Sequence, residues 1–256
     1  MRLGPYPLDV ELEPGSLGRR FRSSLPGNEV VDVVVESVSV RCDEELFDRS
    51  LRRIELMAAI SHDHLVPILD AGLDRDQLFI VTPLPDRTAD GLGPVGLSAA
   101  SVMADVGLGL GHIHLNRALH RDLQLRHIGW YGGVVKLGGF GLADLQGTGR
   151  TEGIGPIGGI LTMAPSVVQG HPATPGSDAY SFGAALHLLA TGIAVHPVRA
   201  ESIAKRVWRI GAEAPTVSPS LPPELVQTVS AFLSADGSTS LASFDLLDPL
   251  RTGVPL

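Results

Sequence analysis

The sequence predicts an α+β fold in two parts, a small strand-rich part holding one helix and a larger helical part. Three observations carry it. Before residue 85, apolar and β-branched runs (20–24, 30–40, 65–72 and 77–81) alternate with turn signals such as Pro26-Gly27-Asn28 and Asp74-Arg75-Asp76. Among those strands lies one helical stripe, in which Phe47, Leu51, Ile54 and Ala58 follow the i, i+4, i+7, i+11 spacing. Beyond residue 96 the long apolar patterns are helical, at 97–118 and 179–195. The expected division is 1–85 and 86–256, within one domain.

Composition narrows the class. The chain has 256 residues, long enough for one sizeable core. Hydrophobic residues make up 44%, and the mean hydropathy of +0.20 argues for a folded chain. The net charge of −8 argues against a nucleic-acid partner. Cys42 stands alone, so no intramolecular disulfide forms, and a cytoplasmic, reducing compartment is expected. Met1 to Leu12 mixes prolines and acids, which predicts no secretory leader. The apolar run from Ala179 to Val195 is interrupted by Ser181 and His187, and is expected as a buried helix rather than a membrane span. His112, His114, His171 and His196 make no metal-ligand pattern.

The elements follow in order. Gly15 and Gly18 read as turn glycines. Val31, Val33 and Val35 share one face of the third strand. The helix at 43–60 opens with Asp43, Glu44 and Glu45, acids favoured by the dipole at a helix start. Leu65–Gly72 and Gln77–Val81 pair about Asp74-Arg75-Asp76. Thr82-Pro83-Leu84-Pro85 links the two parts. Val134–Leu137 is a short strand, the glycine-rich 143–165 is a loop, and 222–233 and 241–250 close the chain as helices.

His120-Arg121-Asp122-Leu123, Gly139-Phe140-Gly141, Met163-Ala164-Pro165-Ser166 and Ser177-Asp178-Ala179-Tyr180-Ser181-Phe182-Gly183 fix a register. Together they resemble the H-R-D-L, D-F-G, A-P-E and helix-F motifs of eukaryotic-like (Hanks-type) protein kinases. The resemblance implies a bilobal kinase fold. It implies structural roles for His120, Phe140 and Asp178, with Asp178 holding the catalytic-loop backbone and Asp122 at the base position.

Several matched positions depart from the family. The two metal-ligand positions are Gly139 and His127. Glycine has no ligand atom, and magnesium prefers oxygen to imidazole nitrogen. Gln124 stands where the family has a phosphate-contacting lysine. The chain's two lysines are Lys136 and Lys205, so no register supplies one to the first part; Glu36 is the expected replacement. Arg53 falls at the helix glutamate, as a reversed partner for Glu36 or a solvated side chain. Glu13 replaces the first phosphate-loop glycine. With Thr82 and Pro83 opening the hinge, the adenine-contacting amide falls on Pro85, which has no N–H. Ser166 replaces the A-P-E glutamate, and Ser240 its arginine partner.

These absences predict a non-enzyme: a pseudokinase scaffold or allosteric regulator in bacterial Ser/Thr kinase signalling, with no cofactor and no metal. The alternatives are an atypical kinase-fold transferase using Asp122 as base, and a small-molecule sensor in the interlobe cleft. The expected partner is a protein, either an active Ser/Thr kinase or a phosphothreonine-binding domain. Thr148 and Thr151 are the expected phosphosites for such a reader. Few lysines beside many arginines, with abundant Ala, Gly, Val and Leu, resemble actinobacterial usage.

Overall fold

A computed structural model describes residues 2–15, 18–24, 32–39, 52, 54–75, 77–139, 159–236 and 238. Its first part is a five-stranded antiparallel sheet in the order β3-β4-β5-β7-β6. These strands are β3 (Val10–Leu12), β4 (Arg19–Ser24), β5 (Asp32–Ser39), β6 (Asp70–Asp74) and β7 (Gln77–Pro83). The β5–β7 register sets Val35 opposite Val81 and Glu36 opposite Ile80.

Both faces of this sheet are covered. A hairpin of β1 (Arg2–Leu3) and β2 (Tyr6–Pro7), absent from the sequence expectation, caps one face. Leu3 and Tyr6 cluster there with Val35, Phe79 and Val81. The Tyr6 hydroxyl donates to Asp70 Oδ2 at 2.7 Å, which ties the hairpin to β6. On the other face Leu78 and Ile80 join Ile54 and Met57 of helix α1 (54–59) in the main core.

Val34 and Val35 are both buried, so both faces of β5 are covered. Two expectations shift here. The α1 stripe runs through Ile54 and Met57 while Ala58 is exposed, because an i, i+3 pair covers the sheet better than the expected i, i+4 step. The fourth strand starts at Asp70 rather than Leu65. Pro67 cannot donate to a ladder, and Leu65 makes only a parallel bridge to Leu137.

The second part is built on two buried helices, α2 (Ala99–Leu115) and α4 (Pro175–Thr191). Val102, Met103, Val106, Leu110 and Ile113 of α2 are all buried. Burying each large side chain contributes about 1.5–3 kcal/mol. The stretch Gly96–Leu115 is long and apolar enough to cross a membrane, and 56% of it is buried inside the fold. The sequence reading had singled out 179–195 instead.

Helix α4 begins with a capping box between Thr174 and Ser177, takes Pro175 in its first turn and ends at Gly192 in the left-handed region (φ 73°). Its Gly183 lies against Phe232 of α6 (Pro223–Leu233); a Cβ there would sit 2.6 Å from the Phe232 Cβ. Phe182 and Phe232 meet edge-to-face at 4.8 Å. Shorter helices α3 (Pro165–Val168) and α5 (Ile203–Ala212) pack on this side. A small sheet of β8 (Arg87–Thr88), β9 (Ile128–Tyr131) and β10 (Val134–Leu137) sits beside α2, with the Arg87 guanidinium 4.4 Å above the Trp130 ring. The main core runs through both parts, from Ile54 to Leu233.

Candidate functional site

The loop between α2 and β9 is held from below by one carboxylate. Asp178, on the first turn of α4, is buried. Its Oδ2 accepts from the His120 amide at 2.8 Å and from His114 Nε2 at 2.9 Å, and its Oδ1 accepts from the Arg121 amide at 2.8 Å. Arg121 has a φ of 67°, an unusual conformation for a side-chain-bearing residue. The hydrogen bond to Asp178 holds it there. His114 entered the sequence reading only as a core or surface histidine. Its signal was position: it lies in the last turn of α2, six residues before His120.

His120 is fully buried and its tautomer follows from its neighbours. Nε2 donates to the Gly138 carbonyl at 3.0 Å, so Nδ1 is free to accept the Asp122 amide at 3.3 Å. Burial holds the ring below its ordinary value, opposed by the carboxylates of Asp178 and Asp122. Thr162 Oγ1 donates to the Leu123 carbonyl at 2.7 Å, tying the segment after the glycine-rich loop to this one.

Asp122 projects from that frame with its side chain one-fifth exposed. Gln124 Nε2 donates to Asp122 Oδ1. Arg126 Nη2 and His127 Nε2 each lie 3.9 Å from Asp122 Oδ2, beyond hydrogen-bond range. His127 Nδ1 donates to the Asp122 carbonyl at 2.6 Å. Burial pushes the His127 ring down to about 4, against the pull of Asp122. The ring is therefore neutral at pH 7.

Gly139 lies against this ring. Its φ is 74°, and a Cβ there would stand 3.0 Å from the His127 ring carbons. Magnesium, which the resemblance implies, does not fit these residues. Gly139 offers no ligand, and the His127 ring fills the space beside it with Nδ1 already committed. Among the described residues no group of three or more His, Cys, Asp or Glu is placed to hold a metal.

Thr82 and Pro83 end β7, and Pro85 packs against Gly129 of β9. The next amide, Asp86, donates to the Trp130 carbonyl at 2.8 Å. Glu36 sits on β5 opposite Arg20 and Ile80. Gly15 donates to the Gly18 carbonyl at 2.8 Å in a local turn. Arg53, Phe140, Thr148, Thr151, Ser240 and the helices expected over 43–51 and 241–250 lie outside the described residues.

The Ser166 position, where the loss of both ion-pair partners was expected, holds a polar pair. Its amide donates to Asp236 Oδ2 at 2.9 Å and its hydroxyl to Asp236 Oδ1 at 2.6 Å. The sequence comparison looked for an arginine near Ser240 and overlooked this carboxylate four residues earlier.

Protein-family comparison matches the protein kinase domain to residues 27–239. The chain belongs to the protein kinase domain family. It is 28% identical to a probable serine/threonine-protein kinase, PkwA, of Thermomonospora curvata, over 98% of this chain and 34% of that protein. It is 30% identical to the serine/threonine-protein kinase PrkC of Bacillus subtilis, over 65% of this chain and 28% of that one. Against the kinase PknK of Mycobacterium bovis it is 30% identical, over 79% of this chain and 19% of that protein. The chain thus spans about a third or less of the length of these relatives.

These matches correct one expectation. The chain was expected to be no enzyme. A protein kinase domain over most of its length, and relatives named serine/threonine-protein kinases, point to a kinase enzyme. The missing ligand positions stand beside an intact loop that presents Asp122.

Proposed function

We propose that the chain is a kinase-family phosphotransferase of bacterial Ser/Thr kinase signalling, with Asp122 as base and the phosphoryl donor held differently from the family's usual pose. The observation that carries this reading is the Asp178 anchor. Two backbone amides and His114 converge on one buried carboxylate, and the result is a fixed, partly exposed Asp122. A positioned base is useful only where an acceptor hydroxyl comes within hydrogen-bond reach. The altered donor pose is supported by Gly139, by the neutral His127 ring beside it and by Pro85 in the hinge. The chain's residues orient the acceptor and take its proton at the Asp122 carboxylate, which Gln124 Nε2 holds by a hydrogen bond to Oδ1.

The proposed partners are proteins: an upstream Ser/Thr kinase acting on Thr148 or Thr151, or a phosphothreonine-binding domain that reads them. Mass spectrometry of the chain from its native host tests that assignment.

The activity is tested by incubating the purified chain with γ-labelled ATP or GTP, each with several divalent metals, and following label into the chain and into added protein acceptors. Transfer that Asp122→Asn lowers by on the order of 100-fold supports the reading. No transfer under any combination, or transfer indifferent to Asp122→Asn, overturns it.

A further inference from the structure

Three histidines meet where the end of α1, the face of α2 and strand β10 come together. Past Ala59 the chain turns at 61–65, and the turn is closed by two hydrogen bonds. The Leu65 amide donates to the His62 carbonyl at 3.0 Å, and the His64 amide donates to His62 Nδ1 at 3.1 Å. The turn is pinned to β10 by the Leu137 amide on the His64 carbonyl and by His64 Nδ1 on the Val135 carbonyl, both at 2.9 Å. Helix α2 presses on it at Gly109, where a Cβ would stand 2.7 Å from the His64 carbonyl oxygen. The His62 ring lies 5.0 Å from that of His112, on α2, and 5.7 Å from that of His64. All three side chains are half-buried. Lys136 of β10 reaches over the turn to the Asp63 carbonyl. Asp105 of α2 stands 3.7 Å from His64 Nε2.

We propose that this turn is a proton-operated latch, which clamps the end of α1 to α2 and β10 while His62 is neutral and lets go when His62 takes up a proton. One nitrogen carries the argument. His62 Nδ1 accepts the His64 amide, so the neutral ring bears its proton on Nε2. A second proton must go on Nδ1, where it would face the amide N–H, and the hydrogen bond that closes the turn is lost. A metal on Nε2 would force the same proton onto Nδ1, so the cluster suits proton sensing better than metal binding. The surroundings add to the effect. Burial, then His112, His64 and Lys136, hold the His62 ring below its ordinary value, and Asp63 pulls the other way. With the turn open the ring titrates in water near 6.5. The open turn therefore binds more protons, and closure weakens as pH falls below that value. The turn follows directly on the segment whose Ile54 and Met57 enter the main core, so its release loosens α1. The latch does not involve Asp122, and its test needs no turnover.

The test is amide hydrogen exchange on the full chain at pH 7.5 and pH 5.5, read as protection factors so that the intrinsic pH dependence of exchange cancels. Protection of the His64 and Leu65 amides should fall on the order of tenfold at the lower pH. Amides in the middle of α4, which report global opening, should not follow. His62→Asn keeps an acceptor for the amide two residues on and removes the proton, so its protection should stay level. His112→Gln removes one repelling neighbour and should make the fall smaller. Protection that ignores pH in the native chain, a fall that persists in His62→Asn, or an equal fall in α4 overturns the proposal. If His62→Asn does not fold, the native chain still decides by NMR. The His64 amide resonance should shift with the His62 ring titration, and a ring that titrates while that amide stays still overturns the latch.

Discussion

The two ends of the catalytic loop are held differently. At its start, the Asp178 carboxylate gathers the His120 and Arg121 amides and His114 Nε2, all at 2.8–2.9 Å. At its far end, Gln124 Oε1 and the Arg126 Nε and Nη2 atoms are buried without hydrogen-bond partners among the described residues, and His127 fills the space beside Gly139. The comparison separates two jobs. The backbone path is fixed from α4, by atoms outside the loop. The side chains at the far end, Gln124 and His127, are the ones that depart from the family's motif.

The largest effect tests the anchored end. Asp178→Ala removes the acceptor of the His120 and Arg121 amides and of His114 Nε2, and with it the hydrogen bond to the left-handed Arg121. We expect a loss of about 3–5 kcal/mol, a fall in Tm of roughly 10 °C for a domain of this size. Thermal denaturation that shifts by less than the Arg126→Gln variant would break the comparison, since the far end would then matter more to stability.

The next test works at the far end. Gly139→Asp places a Cβ 3.0 Å from the His127 ring at a φ of 74°. The steric part is relieved by His127→Asn; the backbone part is not, although aspartate tolerates this region better than most residues. Gly139→Asp alone should cost about 2 kcal/mol. The double variant should recover about half of it, a coupling that a double-mutant cycle of denaturant unfolding measures. Strictly additive costs would show that the ring and the glycine do not constrain each other.

Acid distinguishes the ends in a third way. The unfolded chain protonates His127 near 6.5, the folded chain only near 4. Between these values the unfolded state binds more protons, so stability falls as pH drops from 6.5 towards 4 and is fully present above that window. Burial lowers the His120 ring as well, with the same sign. We expect Tm to fall several degrees between pH 7 and pH 5, and His127→Asn to flatten that slope. An unchanged slope in the variant would remove His127 from the account.

Much of this was legible in the sequence. The short motifs around Asp122 and Asp178 gave the family and the register, because each motif residue sits where backbone geometry leaves few choices. Strands β5 and β7 and helices α2, α4 and α6 were readable from apolar runs long enough to override their neighbours. The hairpin of β1 and β2 was not, since two-residue strands carry no period and gain their stability from Tyr6 and Leu3 packing on a distant sheet. The burial of Arg126 was also hidden. Its neighbours lie far apart in sequence, and an arginine in a loop reads as solvated until its donors are found buried. The roles of His114 and Asp236 were missed for the same reason: each depends on one partner dozens of residues away.

The smallest effect concerns a third polar contact, between Ser166 and Asp236. Ser166→Ala removes the hydroxyl and leaves the amide on Asp236 Oδ2, so Oδ1 loses the partner it had at 2.6 Å. The site is only partly buried, and water can replace that donor. The expected loss is about 1 kcal/mol, or a Tm lower by roughly 2–4 °C. Ser166→Glu, which restores the residue type of the A-P-E motif, should do worse. Its carboxylate would meet the Asp236 carboxylate with no arginine described nearby to separate them, and like charges at such range repel. The order of melting temperatures should be native, then Ser166→Ala, then Ser166→Glu at neutral pH. A Ser166→Glu variant as stable as the native chain would mean that a cation reaches this position, and the serine–aspartate pair would then be an accessory contact rather than the replacement for an ion pair.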